Sequence, residues 1–500
     1  MHRGVLSVSS SELAPPGLNG GEPLRPQFAD AGRLARRALR KVVVAARADE
    51  QPSVAKSLRS HLGAAVDGAV MTGNWPPYEH VNVQIALDAW LADGARAHEV
   101  LGLTGFQHRM FGLADLLSEA AHPGMLPGLG NVAMANLPSG PDGQTYSCAQ
   151  CVVYLVDDGG SPIAIFMRGS DSRGPQEDVV VQVLAADAEH GERVLTKLRA
   201  LALERNVYRG QVVSFGGEMF GPRGAALTFH SRPDVGRDDL VLPDGVLDDV
   251  ESQILGVAAH RERLRESGQH LKRGLLLHGP PGTGKTHTIR YLLGQLTGVT
   301  VVLLSGEALG MVGLACSVAR ALTPSVVVIE DVDLIGEDRG MHPGSHPLLF
   351  QLLNEMDGLG EDLDIAFVLT TNRADLLECA LTQRPGRVDQ AIEIPLPGAA
   401  ERRRLAQLYR GRLELDDASL DDVVSRSDGV TASFIKELLR RAALLAAQED
   451  ADGSGVIRVS RSQLSRALDA LLEGRNRLTR ALLGSSASDP SIGAEESATS

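Results

Sequence analysis

Cysteine is nearly absent from this chain: there are four in 500 residues, at positions 148, 151, 316 and 379. That excludes a disulfide-built scaffold of this size and points to a reducing compartment, with the cytoplasm as the expected location. Aromatic residues make up only 4% of the chain, so platforms on which bases could stack are scarce. Positive charge is also in deficit, with a formal net charge of −14. A chain of that sign does not coat itself with nucleic acid, although a local basic channel stays open. No uninterrupted apolar run reaches the length of a membrane span. The opening MHRGVLSVSSSELAPPG lacks the extended apolar centre of a signal peptide.

What is present fits an ordinary globular protein: 43% hydrophobic and 22% charged residues. The length exceeds what one hydrophobic core organises. Residues 1–28, rich in Ser, Pro and Gly, read as a disordered leader. Residues 29–125 read as mainly helical, starting with the arginine-bearing ADAGRLARRALRKVVVAARA, which reads as a solvated flank ahead of a nucleic-acid or partner face. Residues 126–238 read as an α+β module, with strands in CAQCVVYLVDD, SPIAIFMRG, EDVVVQVLAAD and VYRGQVVSFGG around one helix, AEHGERVLTKLRALALERN. Within it, Cys148 and Cys151 form a C-x-x-C. It lacks both the second ligand pair that zinc needs and the strand–helix context of a redox motif. Two cysteines in or beside a strand is the expectation.

From 239 to 397 the texture changes. After a strand-like DLVLPDG, a helix and a basic lead-in, short apolar strands alternate with helices: GLLLHG, VTVVLLSG, SVVVIED and DIAFVLTTN. Four such strands with helical connections predict a doubly wound parallel sheet. Residues 398–480 read as an all-α lid, and 481–500 as a disordered tail.

Residues 277–286, LHGPPGTGKT, satisfy G-x-x-x-x-G-K-[ST] between a strand and a helix. Glycines at this spacing let backbone N–H groups turn inward around phosphate oxygens, and the helix opening near Gly284 adds its dipole. Lys285 reaches the β- and γ-phosphates and the Thr286 hydroxyl ligates Mg²⁺. The expected nucleotide-binding stretch runs through Gly279, Pro280, Pro281, Gly282, Thr283, Gly284, Lys285, Thr286 and His287. Further on, VVVIEDVD (326–333) runs from a buried strand into Glu330 and Asp331, an acid pair that is costly there unless a cation uses it.

These residues resemble the AAA family of ATPases. GPPGTGKT looks like its phosphate loop, and LLNEMDGL (352–359), TTNRADLL (370–377) and RPGRVD (384–389) follow in the family's order. The resemblance covers about 239–475. The Glu-Asp order of the acids and Val388 are closer to the mitochondrial Rieske-protein translocase branch and its bacterial relatives. The resemblance implies a P-loop NTPase α/β fold: a parallel sheet flanked by helices with a C-terminal all-α lid, here preceded by a helical plus α+β region. It implies ATP and Mg²⁺, with Thr286 and Glu330 on the metal and Asp331 orienting or deprotonating the attacking water. It makes Asn372 the polar sensor, although an Asn before a helix can also be a plain cap. Arg387 becomes the arginine finger that reaches a neighbouring subunit's nucleotide, with Arg384 a second arginine and Gln390 replacing a further one. A homo-oligomeric ring, a hexamer, follows. Gly429 and Ala432 match the lid helix beside the nucleotide. Met311-Val312-Gly313 matches the pore loop, with Met in place of an aromatic, and is either a gripping loop or an ordinary one. No H-E-x-x-H occurs in the chain, so the zinc-protease signature of the membrane AAA proteases is missing. Two readings stay open: an oligomeric protein-remodelling machine with an unidentified client, and a slowly hydrolysing nucleotide-dependent assembly switch.

Overall fold

The computed structural model describes residues 53–107, 109–118, 127–170, 178–216, 226–333, 347–358, 360, 362–373, 388–449 and 455–473. The expected leader, the arginine-bearing helix and the C-terminal tail lie outside the described residues, as do Arg384 and Arg387.

The N-terminal half is built on antiparallel pairing. Its strands are β1 (Ala69–Trp75), β2 (His98–Thr104), β3 (Gly128–Gly130), β4 (Met134–Pro138), β5 (Thr145–Ala149), β6 (Cys151–Asp158), β7 (Ser161–Arg168) and β8 (Val179–Ala185). Six of them form one sheet in the order β1-β8-β7-β6-β2-β3, while β4 and β5 pair as a separate ribbon. Side chains alternate along each strand. Val152, Tyr154 and Val156 of β6 pack under helices α2 (His80–Ala92) and α4 (Ala188–Glu204). Cys151, Val153 and Leu155 face α1 (Val54–Leu62) and α3 (Leu113–Leu117). With both faces covered, β6 and β7 carry buried, largely apolar runs at Cys151–Val156 and Ile163–Met167. Helix α4 starts where Asp187 caps it, accepting from the backbone N–H of His190 at 2.7 Å.

Two expectations need correction here. The stretch 29–125, besides helices α1, α2 and α3 where it is described, also carries two strands that the helical reading did not include, β1 and β2, which belong to the six-stranded sheet. Their partners, β8 and β6, lie far along the chain, and long-range pairing overrides the local helical pattern. The boundary at 238/239 also fails. Strands β9 (Val212–Gly216) and β10 (Ala226–His230) leave the N-terminal sheet and join the next one.

That second sheet runs β10-β9-β12-β13-β14-β11-β15. It contains β11 (Arg273–His278), β12 (Thr300–Leu304), β13 (Ser325–Ile329), β14 (Ile365–Thr371) and β15 (Gln390–Glu393). All neighbours from β9 to β15 are parallel, and β10 alone pairs antiparallel, on β9. The four expected strands form its centre, and β13 and β14 are buried along their whole length. The DLVLPDG segment is not a strand; Leu240 and Leu242 are buried beneath α5 (Val246–Glu251) without ladder pairing. Helices α5 and α6 (Lys285–Gln295) cover one face. The other is covered by α7 (Val312–Ala321) and α8 (Pro347–Asp357). The two sheets meet at an aromatic seam: Tyr78 lies edge-on to Phe215 at 6.3 Å, Tyr208 stacks on Phe229 at 5.3 Å, and the Tyr208 hydroxyl donates to the Tyr78 carbonyl at 2.6 Å.

At the C-terminal end, α9 (Ala399–Arg410), α10 (Asp417–Arg426), α11 (Ala432–Glu449) and α12 (Arg461–Leu472) pack around a core of their own.

Candidate functional site

The site is built at the C-terminal ends of the parallel strands. Strand β11 ends at His278, and the chain then turns through Gly279, Gly282 and Gly284 at φ of 142°, 79° and 121°. L side chains rarely adopt these conformations. Space is also limiting, since a Cβ on Gly279 would lie 2.2 Å from the Ile394 carbonyl oxygen. The Thr283 hydroxyl donates back to the Pro280 carbonyl at 2.9 Å and closes the loop. Helix α6 starts at Lys285, so its unpaired N–H groups and positive dipole end face the loop.

Lys285 is buried. Its ammonium donates to the carbonyls of Gly279 at 2.7 Å and Pro280 at 3.0 Å, and to Asn372 Oδ1 at 2.8 Å. Burial pulls its pKa below the ordinary lysine value, against the opposing fields of Asp331 and Asp333.

Strand β14, which ends before Asn372, lies between β13 and β11. That order brings Asn372 between the loop and the acids. Asn372 Nδ2 donates to Asp331 Oδ1 at 3.1 Å, while the Asp331 N–H donates to Thr370 Oγ1 at 2.9 Å. Asp331 sits at φ 50°, uncommon for a residue with a side chain. Asp333 steadies the end of β14, accepting from Thr371 Oγ1 at 2.9 Å and the Asn372 N–H at 3.3 Å.

The loop, Asp331, Asn372 and the C-terminal helices line an open cavity of about 450 Å³. Of the residues expected from sequence, Pro281, Gly282, Gly284, Lys285, Thr286, His287, Asp331 and Asn372 line it. Gly279, Pro280 and Thr283 shape the loop from behind. Glu330 does not line the cavity; its Oε1 is buried and has no hydrogen-bond partner among the described residues. Ala432 lines the wall as expected, whereas Gly429 does not. Four lining residues were missed: Arg290, Tyr409, Ser433 and Lys436. Arg290 follows Thr286 by one helical turn, a signal the spacing carried. Tyr409 and Lys436 stand on helices that only the tertiary fold brings here.

Elsewhere, Cys148 and Cys151 are fully buried, with thiols pushed up to about 12 chiefly by desolvation. No cluster of metal-ligating side chains occurs among the described residues. Val312 is buried at the start of α7, and Met311 packs against the core beneath it.

A glycine-lined loop closing on a helix N-terminus, with a buried lysine and strand-end acids, defines a P-loop nucleotide-binding domain. Comparison with known proteins refines the class. Residues 275–396 match the model of the ATPase family associated with various cellular activities (AAA). An ATP-dependent zinc metalloprotease FtsH 3 of Sphaerobacter thermophilus is 32% identical over 275 residues, covering 52% of this chain and 54% of that protein. A second FtsH 3, from Synechocystis, is 33% identical over 246 residues, covering 46% and 39%. FtsH of Mycobacterium leprae is 34% identical over 233 residues, covering 44% and 29%. The chain thus spans about half or less of the length of these relatives. Over residues 275–396 the chain is similar to the ATPase domain of the AAA family. No helix among the described residues is long and apolar enough to cross a membrane.

Proposed function

We propose that this chain binds Mg-ATP in the cavity above the phosphate loop and hydrolyses it as an oligomeric protein-remodelling ATPase. The observation that carries the reading is the convergence of Lys285, Asp331 and Asn372 on one glycine-lined cavity. Mg²⁺ requires oxygen donors: the Thr286 hydroxyl lines the cavity, whereas Glu330, the other ligand expected from the resemblance, does not line it and keeps a buried, unpartnered Oε1. When bound, the ion neutralises phosphate charge. The loop N–H groups and Lys285 hold the phosphates. Asp331, fixed by Asn372 and by its own backbone bond to Thr370, orients or deprotonates the attacking water. Asp is one methylene shorter than Glu, about 1.5 Å of reach, so turnover is slow unless the water sits closer to the strand.

Arg387, contributed in trans to a ring of six, completes the charge around the γ-phosphoryl group. The Glu330–Asp331 order and Val388 favour kinship with the Rieske-protein translocase branch. The buried free thiols favour a reducing compartment, the cytoplasm.

The packing of Met311 and Val312 against the core, with β9 laid on the edge of β12, favours a second reading, the slowly hydrolysing assembly switch. ATPase rate measured against protein concentration, with Lys285→Ala and Arg387→Ala alongside, separates the two. A ring motor gives a rate per subunit that rises with concentration and falls in both variants. Tight ADP binding with turnover no higher than that of Lys285→Ala identifies the switch. A rate independent of concentration and of Arg387 rejects the ring.

A further inference from the structure

Beyond the last paired residues of β13 and β14, Ile329 and Leu369, side chains take over from the backbone ladder. The N–H groups of a strand point alternately to its two neighbours. Glu330 still points to β12 and donates to the Leu304 carbonyl at 3.0 Å. Asp331 comes next and points to β14, where its N–H meets the Thr370 hydroxyl at 2.9 Å instead of a carbonyl. Thr370 is buried, so packing fixes where that hydroxyl stands. With the peptide plane held there, φ alone sets where the Asp331 Cβ points. That φ is 50°, a region that costs free energy for a residue with a side chain and persists only where the surroundings enforce it. The turn delivers the Asp331 carboxylate to the cavity wall, where Oδ1 accepts from Asn372 Nδ2 at 3.1 Å. Glu330, held on the β12 side, stays off the wall with Oε1 buried. The reciprocal tie from Asp333 to Thr371 and Asn372 keeps the two segments in register.

We propose that Thr370 is a positioning residue for ATP hydrolysis: its hydroxyl captures the Asp331 N–H, turns that backbone into the left-handed region and so presents Asp331, not Glu330, to the attacking water. The proposal rests on the reading of the cavity as an ATP site. Thr370 does not line the cavity, so it acts through Asp331. Removing its oxygen leaves phosphate binding by the loop and Lys285 in place and lets the Asp331 carboxylate drift. A displacement of about 1 Å costs a positioned group on the order of 10²-fold in rate.

The test combines steady-state ATPase kinetics, Mg-ADP calorimetry and amide hydrogen exchange of the nucleotide-free full chain. It compares wild type with Thr370→Val, Thr370→Ala, Thr370→Ser, Asp331→Asn, Lys285→Ala and the Thr370→Val/Asp331→Asn double variant. Thr370→Val keeps the shape and removes the oxygen, whereas Thr370→Ser keeps the oxygen. Thr370→Val and Thr370→Ala should each lower kcat about 10–100-fold with ADP affinity within about threefold of wild type, so the comparison survives if either fails to fold. Thr370→Ser should recover most of kcat. Without nucleotide, the Asp331 amide should exchange about two- to tenfold faster in Thr370→Val and Thr370→Ala, and not in Thr370→Ser. The double variant should turn over within about threefold of Asp331→Asn, because the two residues act as a unit. A folded Thr370→Val protein with kcat within about twofold of wild type overturns the proposal, as do losses that multiply in the double variant. An equal loss of ADP affinity would make Thr370 structural and overturn it too. Folded wild type that takes up no ADP sinks the ATP-site reading; ADP uptake with turnover no higher than that of Lys285→Ala sinks this proposal alone.

Discussion

Replacing Gly279 by alanine tests the phosphate loop at its tightest point. The backbone there holds φ at 142°, and the new Cβ would lie 2.2 Å from the Ile394 carbonyl oxygen. That oxygen is main chain, and its residue is tied to β11 by a 2.7 Å bond from the Ile394 N–H to the His278 carbonyl. No side chain can swing aside to relieve the overlap. The conformational strain alone costs about 1–3 kcal/mol, which lowers the melting temperature by roughly 3–10 °C for a domain of this size. Relieving the contact moves the loop by about 1 Å, enough to weaken a positioned interaction on the order of 10²-fold. Gly284→Ala is the matched control. Its φ is 121°, but the nearest atom to the added Cβ is Leu242 Cδ2 at 3.9 Å, so only the strain term remains and the loss in ADP affinity should be about tenfold. Titration calorimetry with Mg-ADP measures both affinities. Far-UV circular dichroism and a cooperative melt show whether each variant is folded. A folded Gly279→Ala protein that binds ADP within about threefold of wild type, or a Gly284→Ala protein that binds worse than it, would refute the argument from crowding.

Asp331→Asn keeps the side chain's size and removes its charge, so kcat should fall about 100-fold with ADP affinity within about threefold of wild type; an equal loss in binding would make Asp331 a structural residue. Asn372→Ala removes the acceptor for Lys285 and a donor to Asp331, and steady-state kinetics should show a fall in kcat of about 10–100-fold with a smaller change in KM. Phosphate binding needs the Lys285 ammonium charged. Burial lowers its pKa from 10.5, so ADP affinity should decline with rising pH before the ordinary lysine range is reached. In Lys285→Arg the decline should move higher, and a flat profile for wild type would contradict this. The thiols of Cys148 and Cys151, held up near 12 by burial, should ignore an aromatic disulfide reagent at about pH 8 until the chain is unfolded; rapid modification of native protein would refute the structural role.

The loop was legible because its chemistry is local. Glycine spacing, the lysine after Gly284 and the strand–helix context all sit within ten consecutive residues, 277 to 286. The parallel sheet was legible for a related reason, since β13 and β14 are buried on both faces and show it as unbroken apolar runs. The N-terminal half was harder to read. Strands β1 and β2 are partly exposed and mixed in composition, and they become strands because β8 and β6 pair with them.

What the sequence by itself determined is the phosphate-binding turn, the acids at a strand end and the α/β character of the domain that carries them. These follow from backbone geometry and side-chain period, which act over a few residues. Only the tertiary structure decided that Asp331 and not Glu330 faces the cavity, that β9 and β10 extend the ATPase sheet, and that Tyr409 and Lys436 complete the pocket wall. Each of those depends on contacts between residues far apart in the chain, and no local pattern encodes which distant surface a strand edge or helix face will meet.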